Sequence, residues 1–348
     1  MGDQPLRRVE RVLAAAARLA DATSSAGRAL RDRLFETTGL SRIGIEQGLA
    51  SCLETSATPN ELQALLGSTP SAPSAHVLLS GNVFVAALRA IAIGVAASER
   101  VFVRVSRRDP ALAQALHALE PDAFELVTEL TPQPGDHVWA YGSNETLASL
   151  RAQLPSGVWL HGHGHGMGAV VIESRQGFQA DLAAELIARD TALFDQRGCL
   201  SPRLVCVVGD ASATEEVASA LAERLAQLEI TLPPGAKSQE QLTEIRRARD
   251  AAAYAFELKG AGSGWISVGL QPALPPAERC LHVMTAPDAI AALEPMTQHL
   301  TCLGVDVSPA LADALRGRFA GARLCSLGKM QRPPLDGPVD RRGSPELL

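Results

Sequence analysis

The 348-residue sequence is poor in aromatic residues, at 4%, and has no excess of positive charge: 32 Lys and Arg stand against 38 Asp and Glu, a formal net charge of −6. A nucleic-acid binder needs a basic face or a platform of stacking rings, so that class is excluded first. No apolar run approaches the roughly 20 residues that cross a bilayer. There is no CxxC pair; Cys52, Cys199, Cys206, Cys280, Cys302 and Cys325 are scattered, and the opening MGDQPLRRVERVL lacks the apolar core of a secretory signal. A cytoplasmic location with reduced thiols is the expectation, each Cys being either a small buried hydrophobe or a reactive thiolate. The dinucleotide fingerprint GxGxxG is also missing.

What is present is aliphatic and periodic. Residues 5–36 read as an Ala- and Arg-rich helix, with Leu6, Val9, Val12, Leu13, Ala16 and Leu19 near helical spacing. After a Thr-, Pro- and Ser-rich break at 55–75, with a short helix from Asn60, apolar runs alternate with helical stretches. Strands are expected at His76–Ser80, Arg100–Val105, Phe124–Leu130 and His137–Tyr141. Helices are expected at Val83–Ala97, Pro110–Leu119 and Glu145–Gln153. A second α/β stretch follows, with strands at Ala169–Ile172 and Arg203–Val208, near 264–270 and 279–284, and at Thr301–Val307, and with helices over 178–194, 213–227 and 237–256. Continuous apolar strands between helices predict doubly wound parallel sheets, whose ligands bind at the strands' C-terminal edge. The Gly-rich run at 162–168 predicts a bend, and the Pro- and Gly-rich tail 328–348 no regular structure. No repeat of fixed period is found.

The strongest chemical signal is FDQRGCLSP at 194–202. Cys199 follows Gly198 between a helix end and a buried strand, where a turn presents the thiol and the Cys199 N–H is a candidate oxyanion donor. An arbitrary cysteine at such a turn is more often just buried.

This segment resembles the catalytic cysteine region of the aldehyde dehydrogenase superfamily, and of its acyl-CoA reductases of the bioluminescence fatty acid reductase type in particular. The resemblance runs from about residue 75 to 345 and implies that fold: an α/β architecture of two doubly wound domains, cofactor-binding and catalytic, with an N-terminal helical lead-in. The domains then read as a helical segment 1–75, a cofactor-binding domain 76–160 to which the tail 305–348 returns, and a catalytic domain 161–304. In LLSGNVFVAAL, Asn82 occupies the place of the family's oxyanion-stabilising Asn. In VFVRVSRRDP, Arg104 stands where the family usually has a Lys, with Ser106 behind it, in the segment that contacts the cofactor ribose; an Arg there favours a 2′-phosphate and so NADP(H) over NAD(H). In WAYGSNE, Gly142 and Ser143 correspond to the turn and helix start that lie against the cofactor pyrophosphate.

Two departures matter. The hydrolytic members carry a Glu-Leu-Gly-Gly segment where this chain has WLHGHGHGMGAV, so the Glu that activates water is absent and His161 or His163 becomes the candidate proton donor. Thioester reduction is then preferred to acid formation: Cys199 attacks an acyl-CoA, CoA leaves, and hydride from NAD(P)H yields a thiohemiacetal that releases aldehyde. Spacing alone also permits metal binding by His161, His163 and His165, but the Gly content argues against it and no metal is expected. The Glu-x-Phe-Gly-Pro segment that holds the nicotinamide ribose in many members is not found. The chain is short for its branch, which keeps a catalytically silent acyl- or protein-binding relative as one alternative and an acid-forming aldehyde dehydrogenase as another. The GKMQRPPLDGPVDRRG ending matches the branch and is assigned no chemistry. An acyl-CoA substrate is the expected partner, without nucleic acid or a membrane span, and homo-oligomer formation is left open.

Overall fold

In the computed structural model, residues 3–260 and 262–348 are described. The chain divides into two compact units. The first comprises the residues up to His165 together with Pro334–Leu348, and the second is Gly166–Pro333.

The first unit begins with four helices, α1 (Asp3–Ala20), α2 (Ser25–Thr38), α3 (Arg42–Ser51) and α4 (Pro59–Ser68). The single helix expected over 5–36 is two, because Ser24 leaves the helical region and its hydroxyl accepts the Gly27 N–H at 2.9 Å, an N-cap that starts a new helix. The strand-helix alternation follows: β1 (Ala75–Leu78), α5 (Ala86–Ala97), β2 (Val101–Arg104), α6 (Ala111–Leu119), β3 (Glu125–Leu126), β4 (His137–Tyr141), α7 (Asn144–Gln153) and β5 (Trp159–His163). Helix α5 is buried almost all round, and each of Leu88, Ile91, Ile93 and Val95 contributes about 1.5–3 kcal/mol by leaving water. It packs against α1 as well as β1, so the N-terminal helices belong to this unit and are not a separate segment.

These five strands are parallel in the order β5-β4-β1-β2-β3. The order reverses at β1, which makes the crevice between the C-terminal ends of β1 and β4 a switch point. Strand β3 is two residues long rather than the seven expected, because β2 offers it only Phe102 and Val103. The expected bend at 162–168 starts later: Trp159 to His163 pair residue for residue with His137 to Tyr141, which holds Gly162 in a strand.

The second unit contains β6 (Met167–Glu173), α8 (Ala180–Ala192), β7 (Pro202–Val208), α9 (Ala211–Thr231), α10 (Gln239–Ala253), β8 (Glu257–Lys259), β9 (Ile266–Gly269), β10 (Leu281–Thr285), α11 (Ala289–Leu293), β11 (Leu300–Asp306), α12 (Pro309–Arg318) and β12 (Arg323–Ser326). Its sheet runs β12-β11-β6-β7-β10-β9-β8, parallel except between β8 and β9. Val170, Val171, Leu204, Val205 and Val283 are fully buried, as strands covered on both faces require. Because β12 pairs with β11, and β11 with β6, the residues from 305 to 333 belong here. The return to the first unit begins at Pro334, not at 305. Its last strand, β13 (Glu346–Leu347), pairs antiparallel with β5, so the tail does contain a short regular element. Among the described residues no helix is long and apolar enough to cross a membrane.

Candidate active site

Cys199 sits in a turn just ahead of β7. Three residues with side chains precede it in the left-handed region: Phe194, Asp195 and Gln196, with φ of 54°, 49° and 62°. Each costs roughly 1–2 kcal/mol relative to the right-handed form, so the surroundings must impose the conformation. Asp195 Oδ1 accepts from Nε and Nη2 of Arg279 at 3.1 and 2.8 Å, and Asp195 Oδ2 accepts the Gly235 N–H at 2.9 Å. The Gln196 side-chain amide donates to the carbonyls of Pro202 and Cys280 at 2.7 Å each and accepts the Cys280 N–H at 2.9 Å. Glu278 and Arg279 are themselves left-handed, at φ 81° and 65°. Two unusual backbone segments are thus fastened to each other by buried polar side chains.

The turn itself is anchored at several points. Ser201 N–H donates to the Gly198 carbonyl at 3.1 Å, and Gly168 N–H donates to the Ser201 carbonyl at 3.0 Å. The hydroxyl of Thr301, at the start of β11, donates to the Cys199 carbonyl at 2.6 Å and also lies 3.1 Å from the Met167 carbonyl. Gln331 Nε2 reaches Ser201 Oγ at 3.0 Å and the Asp190 carbonyl at 2.7 Å. The Asp190 carboxylate accepts the N–H groups of Gly328 and Met330 at 2.7 and 3.2 Å, and burial pushes its pKa up to about 7 against these bonds. The GKMQ segment therefore secures the cysteine turn, a role its sequence did not reveal. A Cβ on Gly168 would lie 2.4 Å from the Leu200 carbonyl oxygen, so only glycine allows this approach. Cys199 lies at the N-terminal edge of the second sheet, before β7 and beside the starts of β6 and β11, so the switch-point rule does not locate it.

Exposure separates the six cysteines. Cys52, Cys206, Cys280 and Cys302 are buried, while Cys199 and Cys325 are partly exposed. Burial pushes the thiols of Cys206 and Cys280 up to about 12 and about 11, which removes them as nucleophiles near neutral pH.

In the first unit the remaining candidates gather at the C-terminal edge of the sheet. Asn82 is exposed in the loop after β1, Arg104 ends β2 and is exposed, and Ser106 lies in the next loop, where its Oγ accepts the Arg108 N–H at 3.2 Å. A Cβ on Gly81 would stand 2.5 Å from Ser106 Oγ, so the Asn82 and Ser106 loops touch. Gly142 and Ser143 follow β4, and the Ser143 hydroxyl caps α7 by accepting the Thr146 N–H at 3.2 Å. Asn82 and the Gly142-Ser143 turn therefore follow the two strands that flank the switch point.

The histidines differ from each other. His161 is buried in β5, stacked on Trp139 at 4.4 Å, with Nε2 2.9 Å from His137 Nδ1. Burial and the neighbouring His137 lower its pKa to about 3, so it is neutral and committed to the sheet. His163 stacks on Tyr141 at 4.7 Å, at the end of β5. Burial lowers its pKa to about 4, with Asp340 opposing, and among the described residues its buried Nε2 has no hydrogen-bond partner. Asp340 is held by Nε and Nη2 of Arg342 at 2.8 and 2.7 Å. Sequence reading missed Asp195, Gln196, Arg279, Thr301, Asp190 and Gln331 as supports of the cysteine turn, because their partners are distant in the chain.

Solved structures similar to this chain include several aldehyde dehydrogenases. The NAD-dependent benzaldehyde dehydrogenase of Corynebacterium glutamicum has a TM-score of 0.70 and 14% identity, covering 93% of this chain and 81% of its own. A NAD-dependent aldehyde dehydrogenase of Sinorhizobium meliloti has a TM-score of 0.66 and 16% identity, covering 93% and 75%. A 1-pyrroline-5-carboxylate dehydrogenase variant of Thermus thermophilus has a TM-score of 0.66 and 14% identity, covering 99% and 82%. At such identities these likenesses establish the fold, which is that of the aldehyde dehydrogenases. A search of curated proteins finds no match. The sequence profile of the acyl-CoA reductase (LuxC) family, however, matches residues 59–340. This span is most of the chain and includes every candidate residue above, and the chain belongs to the acyl-CoA reductase (LuxC) family.

Proposed function

We propose that the protein reduces an acyl-CoA thioester, with a fatty acyl group as the first expectation, to the aldehyde by way of an acyl group carried on Cys199. The observation that carries this reading is the presentation of Cys199: a partly exposed thiol on a turn that buried polar side chains hold in place. The Cys199 sulfur attacks the thioester carbonyl, its own backbone N–H is a donor for the oxyanion, and collapse expels the CoA thiolate. Asn82 is assigned as a second oxyanion donor on the family resemblance.

A nicotinamide cofactor fits the residues of the first unit. Gly81 and Gly142 let the loops at the sheet edge pack closely on Ser106 and Thr146, α7 offers its N-terminal N–H groups, and the buried Nε2 of His163 lies at the end of the neighbouring strand without a partner among the described residues. Gly142 and Ser143 would hold the pyrophosphate, and Arg104 with Ser106 the ribose, with Arg104 favouring NADP(H). When bound, the reduced cofactor supplies hydride to the acyl carbonyl on Cys199. Of the two histidines, His163 is the better candidate for moving a proton, since His161 spends its Nε2 on His137.

The test follows NADPH and NADH oxidation with short, medium and long acyl-CoAs in the wild type and in Cys199→Ala. Acyl-CoA-dependent oxidation that vanishes in the variant, with cofactor binding retained, supports the reading. Turnover that survives the substitution, or acid made from aldehyde without CoA, sinks it.

A further inference from the structure

Strands β11 and β12 bring two thiols together at the edge of the second sheet. Their register sets Cys302 beside Arg323 and Gly304 beside Cys325, so the two cysteines are diagonal neighbours on one face. The residue directly opposite Cys325 has no side chain, and the Cys325 sulfur lies 3.6 Å from that of Cys302. This is van der Waals contact, and because the pair is diagonal, closing to a disulfide length of about 2.05 Å requires the short edge strand β12 to shift along β11. The two thiols also differ. Cys325 is partly exposed on an edge strand, whereas Cys302 is buried. The Cys325 sulfur and burial push the Cys302 thiol well above the usual thiol range, so Cys302 stays protonated and Cys325 meets an oxidant first.

We propose that Cys302 and Cys325 form a reversible dithiol-disulfide site that takes a hydroperoxide as its oxidant. The Cys325 sulfur attacks the O–O bond, which breaks as the S–O bond forms, leaving a sulfenic acid and one water. The Cys302 sulfur then attacks Cys325 Sγ, the S–S bond forms, the S–O bond breaks, and a second water leaves with the Cys302 proton. Two thiols lose two electrons and two protons, and hydrogen peroxide is reduced to two waters. A dithiol reductant reverses the change. Cys302 directly follows Thr301, so the pair adjoins the hydroxyl that holds the Cys199 carbonyl. No step runs through Cys199, and the proposal stands or falls apart from the acyl-CoA chemistry.

The full chain is treated with hydrogen peroxide, its remaining thiols are alkylated, and its peptides are mapped by mass. The expected product is a peptide linking Cys302 to Cys325, lighter by two hydrogens than the sum of its parts and released by dithiothreitol. In Cys302→Ala the sulfenic acid has no resolving thiol, and dimedone is expected to label Cys325; in Cys325→Ser, Cys302 is expected to remain a thiol. Cys302 and Cys325 both still alkylatable after peroxide, or a link from either of them to Cys199, would overturn the proposal.

Discussion

Asp195 and Arg279, 84 residues apart in the chain, form an ion pair at 2.8 Å with each side chain 2% exposed. The pair joins the left-handed run before Cys199 to the one that includes Arg279 itself. Removing one partner strands a buried charge, and Arg279→Met is expected to destabilise the protein by about 3–5 kcal/mol. Urea unfolding measures the loss, and a variant as stable as wild type would show that the pair does not hold the turn.

Thr301 acts more locally. Thr301→Val keeps the shape and removes the donor to the Cys199 carbonyl, at a cost in stability of about 1 kcal/mol. Alkylation of Cys199 and turnover are both expected to slow about tenfold, ~1.4 kcal/mol in barrier, as the turn loosens. Thr301→Ser keeps the hydroxyl and should restore both rates. A Val variant with wild-type rates would remove Thr301 from the positioning of the thiol.

The first unit should be sensitive to acid. The pKa of His161 is depressed from 6.5 to about 3 by burial and by His137. Its contribution to stability is fully present above pH 6.5 and is lost as pH falls toward about 3, because the unfolded chain takes up the proton first. Unfolding midpoints across this range should fall with pH, and less steeply in His161→Phe. An identical slope in the variant would contradict the assignment.

Asp190 works in the opposite direction. Burial raises its pKa from 3.8 to about 7, so the folded state holds the proton more tightly than the unfolded chain does. Its contribution is present below pH 3.8, declines as pH rises, and is lost above about 7. The difference in unfolding free energy between wild type and Asp190→Asn should therefore shift over this window and level off above it. A difference that stays constant from pH 4 to pH 7 would rule out a buried, protonated Asp190.

Much of the fold was legible because parallel strands buried on both faces need continuous apolar runs. HVWAY at His137–Tyr141 is a strand over the same residues in the sequence and in the structure. FELVTEL looks similar but lies at an edge where β2 soon ends, and a neighbour's length is not written in a strand's own residues. The β5 segment was hidden for the converse reason: Gly162 and the glycines that follow the strand suggest a bend, while pairing with β4 imposes a strand. Cys199 stood out through its adjacent glycine. Its supports did not, because Gln196, Thr301 and Gln331 are ordinary polar residues whose partners lie up to 141 residues away.

The first unit is discontinuous, and this bears on the order in which the molecule assembles. Arg89, buried against Glu54, donates to the carbonyls of Pro334 and Gly337, 245 and 248 residues further on. β13 likewise reaches β5 only after the whole second unit has been made. The second unit is one uninterrupted stretch and has no such wait. During synthesis the half that starts first is therefore completed last, and until then Arg89 lacks its carbonyl partners and β5 has an open edge.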